Sequence, residues 1–236
     1  MLDHELLQST LEEWQLPLDE AQLHMFDRYM MLLNQWNERM NLVAQSTLAD
    51  ATRRHILDSL VLATVLEKQP ASIADIGSGA GLPGIPLAIL WRDANVLLVE
   101  SIGKKTNFLQ HVVNTLGLEH VTVCNERAEV VGRDRKHREA YELVTARAVS
   151  QMATLAEYCL PLCTVDGIWL APKGNDIEAE LAHAENAISL LGGNLESVYD
   201  VSVPDEPIRS LIVVRKVQRT PMQYPRTVGL PAKQPL

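Results

Sequence analysis

The stretch that decides the fold is "DIGSGAGLPG", Asp75 to Gly84. Before it comes "SIADI", a short apolar run that reads as a strand. After it comes a helix seeded by Pro83 and Pro86. A glycine loop between a strand and a helix usually cradles phosphate, because backbone N–H groups and a helix N-terminus both favour negative charge. Asp75 stands two residues before the first glycine. A carboxylate there repels a phosphate and attracts a cation.

Outward from the loop, strands and helices alternate. "NVLLVE" (95–100) reads as a strand, and "KKTNFLQHVVNTLG" (104–117) as a helix closed by Gly117. "VTV" (121–123), "ELVTA" (142–146) and "GIWLA" (167–171) read as strands. "MATLAEYCLPL" (152–162) and "DIEAELAHAENAISLLGG" (176–193) read as helices. "LESVYDVSV" (195–203) and "SLIVVRKV" (210–217), joined by "PDEP", are expected to be two antiparallel terminal strands. This pattern predicts an α/β domain with a doubly wound, Rossmann-like, mostly parallel sheet over 70–217. Residues 1–69 are expected to form a helical extension. In it Asp19 caps a helix carrying Leu23, Phe26, Met30 and Leu33 at helical spacing, and "TLAD" (47–50) forms a capping box before a second helix over 51–67. Residues 218–236 hold four prolines and are expected to lie extended over the surface as a basic tail.

Composition narrows the function. Apolar residues make up 47% of the 236-residue chain, enough for a substantial core. No apolar run approaches the roughly twenty residues of a membrane span. The N-terminus lacks the basic start and apolar middle of a secretory signal, so a cytoplasmic protein is expected. The net charge of −9 argues against indiscriminate coating of nucleic acid. The charge is uneven: residues 1–69 hold 11 acidic and 5 basic residues, whereas residues 215–236 hold 5 basic and none acidic. Cys124, Cys159 and Cys163 make no Cys-x-x-Cys pair, and the seven histidines show no metal-ligand spacing, so no metal is expected.

The loop and Glu100 together mark an adenosine cofactor. Glu100 ends the second strand about twenty residues past the loop, where an acidic residue accepts hydrogen bonds from ribose hydroxyls. Asp75 then separates two cofactor classes. A dinucleotide sets a pyrophosphate over the loop, poorly matched to a carboxylate. S-adenosylmethionine brings an ammonium that Asp75 can attract, so it is expected in place of NAD or FAD. Ser78, Gly79, Gly81 and Ser101 belong to the same expected contact set. Cys124 and the "RAE" of Arg127 to Glu129 fall where such a fold meets the adenine edge, with Ala128 and Glu129 facing the adenine amino group. Arg147 in "TARAV" ends the fourth strand, where a substrate approaches the methyl, and is the expected catalytic residue. The Asn/Asp-Pro-Pro-aromatic motif of exocyclic amine methylation is absent after that strand. Cys163 lacks the Pro-Cys context of a C5 nucleophile. A ring nitrogen with a free lone pair, such as guanine N7, needs only alignment with the sulfonium.

"WNERMNLVA", "RRHILDSL", "DIGSGAGLPGIPLAI", "VESIGKKTNFL", "RAE", "VTARAV", "PKG" and "YPRTVGLPAKQPL" carry a resemblance over nearly the whole chain. The chain resembles the bacterial small-subunit rRNA guanine-N7 methyltransferases, also called glucose-inhibited division protein B. The resemblance implies a class I S-adenosylmethionine methyltransferase fold and methylation of one guanine in 16S rRNA near the decoding site. It places cofactor contacts at Gly77, Leu82, Ala128, Glu129 and Arg147. For RNA the expected contacts are Arg53, Arg54, His55, Lys104, Lys105, Lys173 and Arg226, with Lys233 on the same tail. Tyr224 is the one exposed aromatic candidate for stacking, and the basic loop 132–138 is expected to be solvated or to touch RNA. A monomer is expected. Two other readings stay open on the residues: a small-molecule or protein methyltransferase that uses the N-terminal helices as a lid, and a non-catalytic binding protein.

Overall fold

The computed structural model describes residues 2–147, 150–174 and 177–236. Seven strands form one sheet in the order β3-β2-β1-β4-β5-β7-β6. They are β1 (Ser72–Ile76), β2 (Asn95–Val99), β3 (Val121–Cys124), β4 (Tyr141–Thr145), β5 (Cys163–Lys173), β6 (Gly193–Val201) and β7 (Arg209–Lys216). β1 pairs in parallel with both β2 and β4, so the order of winding reverses there and opens a crevice at the strands' carboxyl ends. β7 inserts between β5 and β6 and is antiparallel to both. β5 is longer than its apolar run predicts, because pairing with β4 begins at Cys163 opposite Tyr141 and pairing with β7 continues to Lys173 opposite Ser210.

The helices cover two apolar faces. α5 (Gly84–Leu90) and α6 (Gly103–Leu116) lie on one, and α6 ends at Gly117 with a left-handed φ of 66°. α7 (Ala128–Val131), α8 (Met152–Cys159) and α9 (Glu178–Leu190) lie on the other.

The N-terminal segment adds α1 (His4–Glu13), α2 (Glu20–Met40) and α3 (Gln45–Leu48) to the α5 face. Leu11, Phe26 and Leu33 pack in one cluster with Ile73, Leu98 and Phe108. Asp19 caps α2 in a reciprocal box with Gln22, whose amide also donates to the Ile89 and Leu90 carbonyls ending α5. The expected helix over 51–67 is built differently. A π-helical turn (Thr52–Leu57) runs into α4 (Asp58–Leu60) and a 3-10 stretch (Val61–Val65). Thr47 makes no capping box; its hydroxyl donates to the Ala44 carbonyl. The wide turn, a feature that concentrates at functional sites, leaves Arg53 and Arg54 outward and buries His55, Ile56, Leu57 and Asp58.

Candidate functional site

The loop after β1 is folded by its own backbone. The N–H groups of Gly77 and Ser78 donate to the Val99 carbonyl at 2.8 and 3.0 Å. Gly77, Gly79 and Gly81 adopt φ of 73°, 56° and 91°, which side-chain-bearing residues rarely take. Glu100 buttresses the turn: one carboxylate oxygen accepts from the Gly79 N–H (3.0 Å) and the other from the Ile102 N–H (2.8 Å). Beside the loop opens a cavity of about 240 Å³ with Gly77, Glu100, Ser101, Ala128 and Glu129 in its walls. It sits over the ends of β1 and β2, with Ile76 and Val99 as its floor. Its size, apolar floor and convergent carboxylates suit a nucleoside. Arg127 leans across from Glu129 to Ser101.

Asp75 points elsewhere. Odd positions of β1 face the α5 side, so its fully buried carboxylate turns away from the cavity. One oxygen accepts the Gly84 N–H at 3.1 Å; the other has no partner. Burial pushes its pKa up to about 7. Gly84 permits this approach, since a Cβ there would stand 2.7 Å from the carboxylate and 2.3 Å from Leu98. Thr145, the register partner of Asp75 on β4, also has a buried hydroxyl without a partner. The cavity fits the adenosine half of S-adenosylmethionine, whereas the unpartnered Asp75 oxygen lies on the α5 side of β1 and meets a ligand ammonium only if the side chain turns toward the cavity. The residues present therefore suit S-adenosylmethionine.

Arg147, at the end of β4, pairs with Asp58. Asp58 is 5% exposed and also takes Arg209 at 2.7 Å. Burial raises the Asp58 pKa, and the two guanidiniums oppose that rise. Burial, then the nearby Arg147 cation, pushes His55 down to about 4, so its ring is neutral at pH 7. From α2, the buried Tyr29 hydroxyl donates to the Ala80 carbonyl at 2.7 Å. The extension thus seals the loop on the side opposite the cavity.

The structure distributes the expected residues unevenly. Gly77, Glu100, Ser101, Ala128 and Glu129 line the cavity; Asp75, Ser78, Gly79, Gly81, Leu82 and Arg147 are not among its walls. Lys104 is exposed and Lys105 half-buried at the start of α6, and neither makes an ion pair among the described residues. Arg53 pairs with Asp50 and Asp205, and Arg54 with Glu206. His55 is 2% exposed. Lys173 donates to Glu180 (2.7 Å) and to the Ser150 carbonyl (2.9 Å). Arg226 closes on the buried carboxylate of Glu157 at 2.6 Å, and Tyr224 is buried, not exposed. In the basic loop, Arg133 and Arg138 donate to carbonyls of residues 220–225.

Sequence reasoning missed Glu126, Ser150, Tyr158 and Ala232, which also line the cavity. One signal pointed to the last of these. Glu157 lies inside an otherwise apolar helix, "MATLAEYC", and a carboxylate buried there demands a buried cation.

Comparison with known proteins agrees with this arrangement. A family model described as GidB, rRNA small subunit methyltransferase G, matches residues 22–210. A curated protein of that name from Roseiflexus sp. (strain RS-1) is 50% identical over 98% of this chain and 99% of its own length. Another from Desulforamulus reducens is 40% identical over 98% of this chain and 97% of its own. Among solved structures, M. jannaschii TYW2 in complex with AdoMet superposes with a TM-score of 0.54 at 16% identity, over 70% of this chain and 76% of that one. The StiE O-MT domain gives 0.56 at 16%, over 74% and 78%. At such identities the two structures show the shared methyltransferase fold alone. The sequence matches extend far past the glycine loop, through the extension and into the terminal strands, and on that extent the chain belongs to the family of rRNA small subunit methyltransferases G.

Proposed function

We propose that this chain transfers the methyl group of S-adenosylmethionine to N7 of one guanine in 16S rRNA, acting as a monomer in the cytoplasm. The observation that carries the choice of atom is the state of the thiols. Cys159 and Cys163 are fully buried. Burial drives the Cys159 pKa well above its usual value and the Cys163 pKa up to about 12. Cys124 is half-buried and also raised. No cysteine lines the cavity and two of the three are fully buried, which argues against the covalent route to a pyrimidine carbon. A purine ring nitrogen needs no such activation.

S-adenosylmethionine, when bound, supplies an electrophilic methyl on a sulfonium. Glu100 and Ser101 are assigned to the ribose, Ala128 and Glu129 to the adenine amino group, and Asp75 to the ammonium. Arg147, fixed by Asp58 at the end of β4, is assigned to orienting the base. A methylated N7 leaves the guanine cationic. Lys104 and Lys105 are assigned to RNA phosphates, together with Arg53 and Arg54 once these leave their acidic partners. The test is incubation with labelled S-adenosylmethionine and unmodified small ribosomal subunits, followed by nucleoside analysis. Label in 7-methylguanosine is expected. Label in any other nucleoside overturns the N7 assignment, and none in RNA overturns the substrate.

A further inference from the structure

The segment expected to reach for RNA is strapped down instead. Lys216, fully buried, anchors its root. The ammonium donates to the carbonyls of Leu160 and Leu191, where α8 and α9 end, and to the Thr220 hydroxyl. Arg138 then holds the carbonyls of Thr220 (2.7 Å) and Tyr224 (2.8 Å), and Arg133 holds that of Pro225 (2.6 Å). The buckle is Arg226. Its guanidinium and its own N–H all donate to Glu157, whose carboxylate has no exposure. Such a carboxylate is tolerated inside the fold only with its cation in place.

Beyond the buckle the segment arrives at the cavity. The Gly229 N–H donates to Glu129 Oε1 at 2.8 Å. Gly229 takes a φ of 80°, a left-handed turn into α10 (Leu230–Lys233). The Thr154 hydroxyl donates to the Pro231 carbonyl, and Ala232 becomes part of the cavity wall. Glu129 therefore has one oxygen held by the strap, while the other faces the Arg127 guanidinium at 3.8 Å and makes no hydrogen bond among the described residues. That is a pre-organised acceptor for an exocyclic amine.

We infer that the C-terminal strap is a structural wall of the cofactor site, in which Gly229 positions Glu129 and the Arg226–Glu157 buckle sets cofactor affinity. The inference rests on the cavity being the S-adenosylmethionine site. Loosening the strap frees Glu129 to swing and opens the nucleoside end of the cavity to water. Ala232 is exposed apart from the cavity, so enlarging it fills the cavity without disturbing the core.

Calorimetry with S-adenosylhomocysteine on the full chain tests this. Ala232→Trp is expected to lose binding while its ligand-free melting temperature stays that of wild type. Arg226→Met combined with Glu157→Met removes the buckle without stranding a charge, and is expected to weaken binding about tenfold or more. In the wild-type chain, ligand is expected to slow tryptic cleavage after Arg226. If wild type binds and both variants bind equally well, the strap has no part in the site and the inference falls. It falls equally if Ala232→Trp weakens rRNA binding but leaves ligand affinity intact. A wild-type chain that does not bind S-adenosylhomocysteine removes the reading of the cavity itself, and the strap's role with it.

Discussion

Assigning Asp75 to the ligand ammonium predicts that cofactor binding is proton-linked. Its carboxyl is fully buried, with one oxygen on Gly84 and the other unpartnered. Its pKa stands at about 7 against an ordinary 3.8. The gap of about three units corresponds to about 4 kcal/mol against the ionised form in the free fold. Between pH 4 and 7 the folded chain holds a proton that the unfolded chain has lost. The free protein's stability from this group therefore falls as pH rises to 7 and is level above it. A ligand ammonium needs the ionised form and takes up the penalty. Affinity should then climb about tenfold per pH unit below pH 7 and reach a plateau above. S-adenosylhomocysteine, whose amine stays protonated over this window, is the ligand for the titration. Calorimetry at pH 7 in buffers of differing ionisation enthalpy should report about half a proton released per ligand bound. Asp75→Asn keeps an acceptor for Gly84 but has no proton to lose. It should bind about 10- to 100-fold more weakly at pH 8, for one lost charged hydrogen bond, and show no pH dependence. An affinity flat from about pH 5.5 to 8.5 in wild type, with no buffer dependence, would refute the ammonium assignment.

Three further perturbations separate the cofactor side from the RNA side. Lys104→Glu with Lys105→Glu should lower rRNA methylation and flatten the salt dependence of RNA binding by about two units, with S-adenosylhomocysteine affinity unmoved; unchanged RNA binding would remove both phosphate contacts. Asp205→Asn with Glu206→Gln removes the partner of Arg54 and one of the two acidic partners of Arg53, Asp50 remaining, so rRNA should bind more tightly and with a steeper salt slope. Weaker binding would mean that these carboxylates position the arginines for RNA. Asp58→Asn leaves Arg147 and Arg209 without their shared anion. It should lower stability in urea by about 2 kcal/mol, discounted for the partial exposure of both arginines, and reduce kcat more than it raises KM for S-adenosylmethionine.

Much of the fold is local and was therefore legible. The glycine loop, the carboxylate that ends β2, the Asp19 cap and the Gly117 stop each depend on residues a few positions apart. The antiparallel pair at the end follows from a connection too short for anything else. The π-helical turn left no trace, because Ile56, Leu57 and Leu60 keep an apolar rhythm that an ordinary helix also satisfies. The length of β5 was hidden because its ends are set by its neighbours, Cys163 pairing with Tyr141 of β4 and Lys173 with Ser210 of β7, and not by its own apolar run.

The cations were the least legible part, for a physical reason. A lysine or arginine seen in sequence looks free, and only the fold decides which carboxylate reaches it first. Here the acidic excess of the chain finds its own positive charges. Arg53 and Arg54 meet the loop between β6 and β7, Lys173 meets α9, and Arg226 meets α8. Each partner lies on a different element, and in three of the four pairs it lies dozens of residues away in the chain. Self-neutralisation on this scale leaves few cations facing outward near the crevice, Lys104 and Lys105 among them. Non-specific attraction to a polyanion is then weak, since it grows with the number of phosphates neutralised. On the proposed function, selectivity for one guanine is expected to come from the shape of the crevice and from arginines that exchange an internal carboxylate for a phosphate. An acidic protein that acts on RNA is consistent with this economy of free charge.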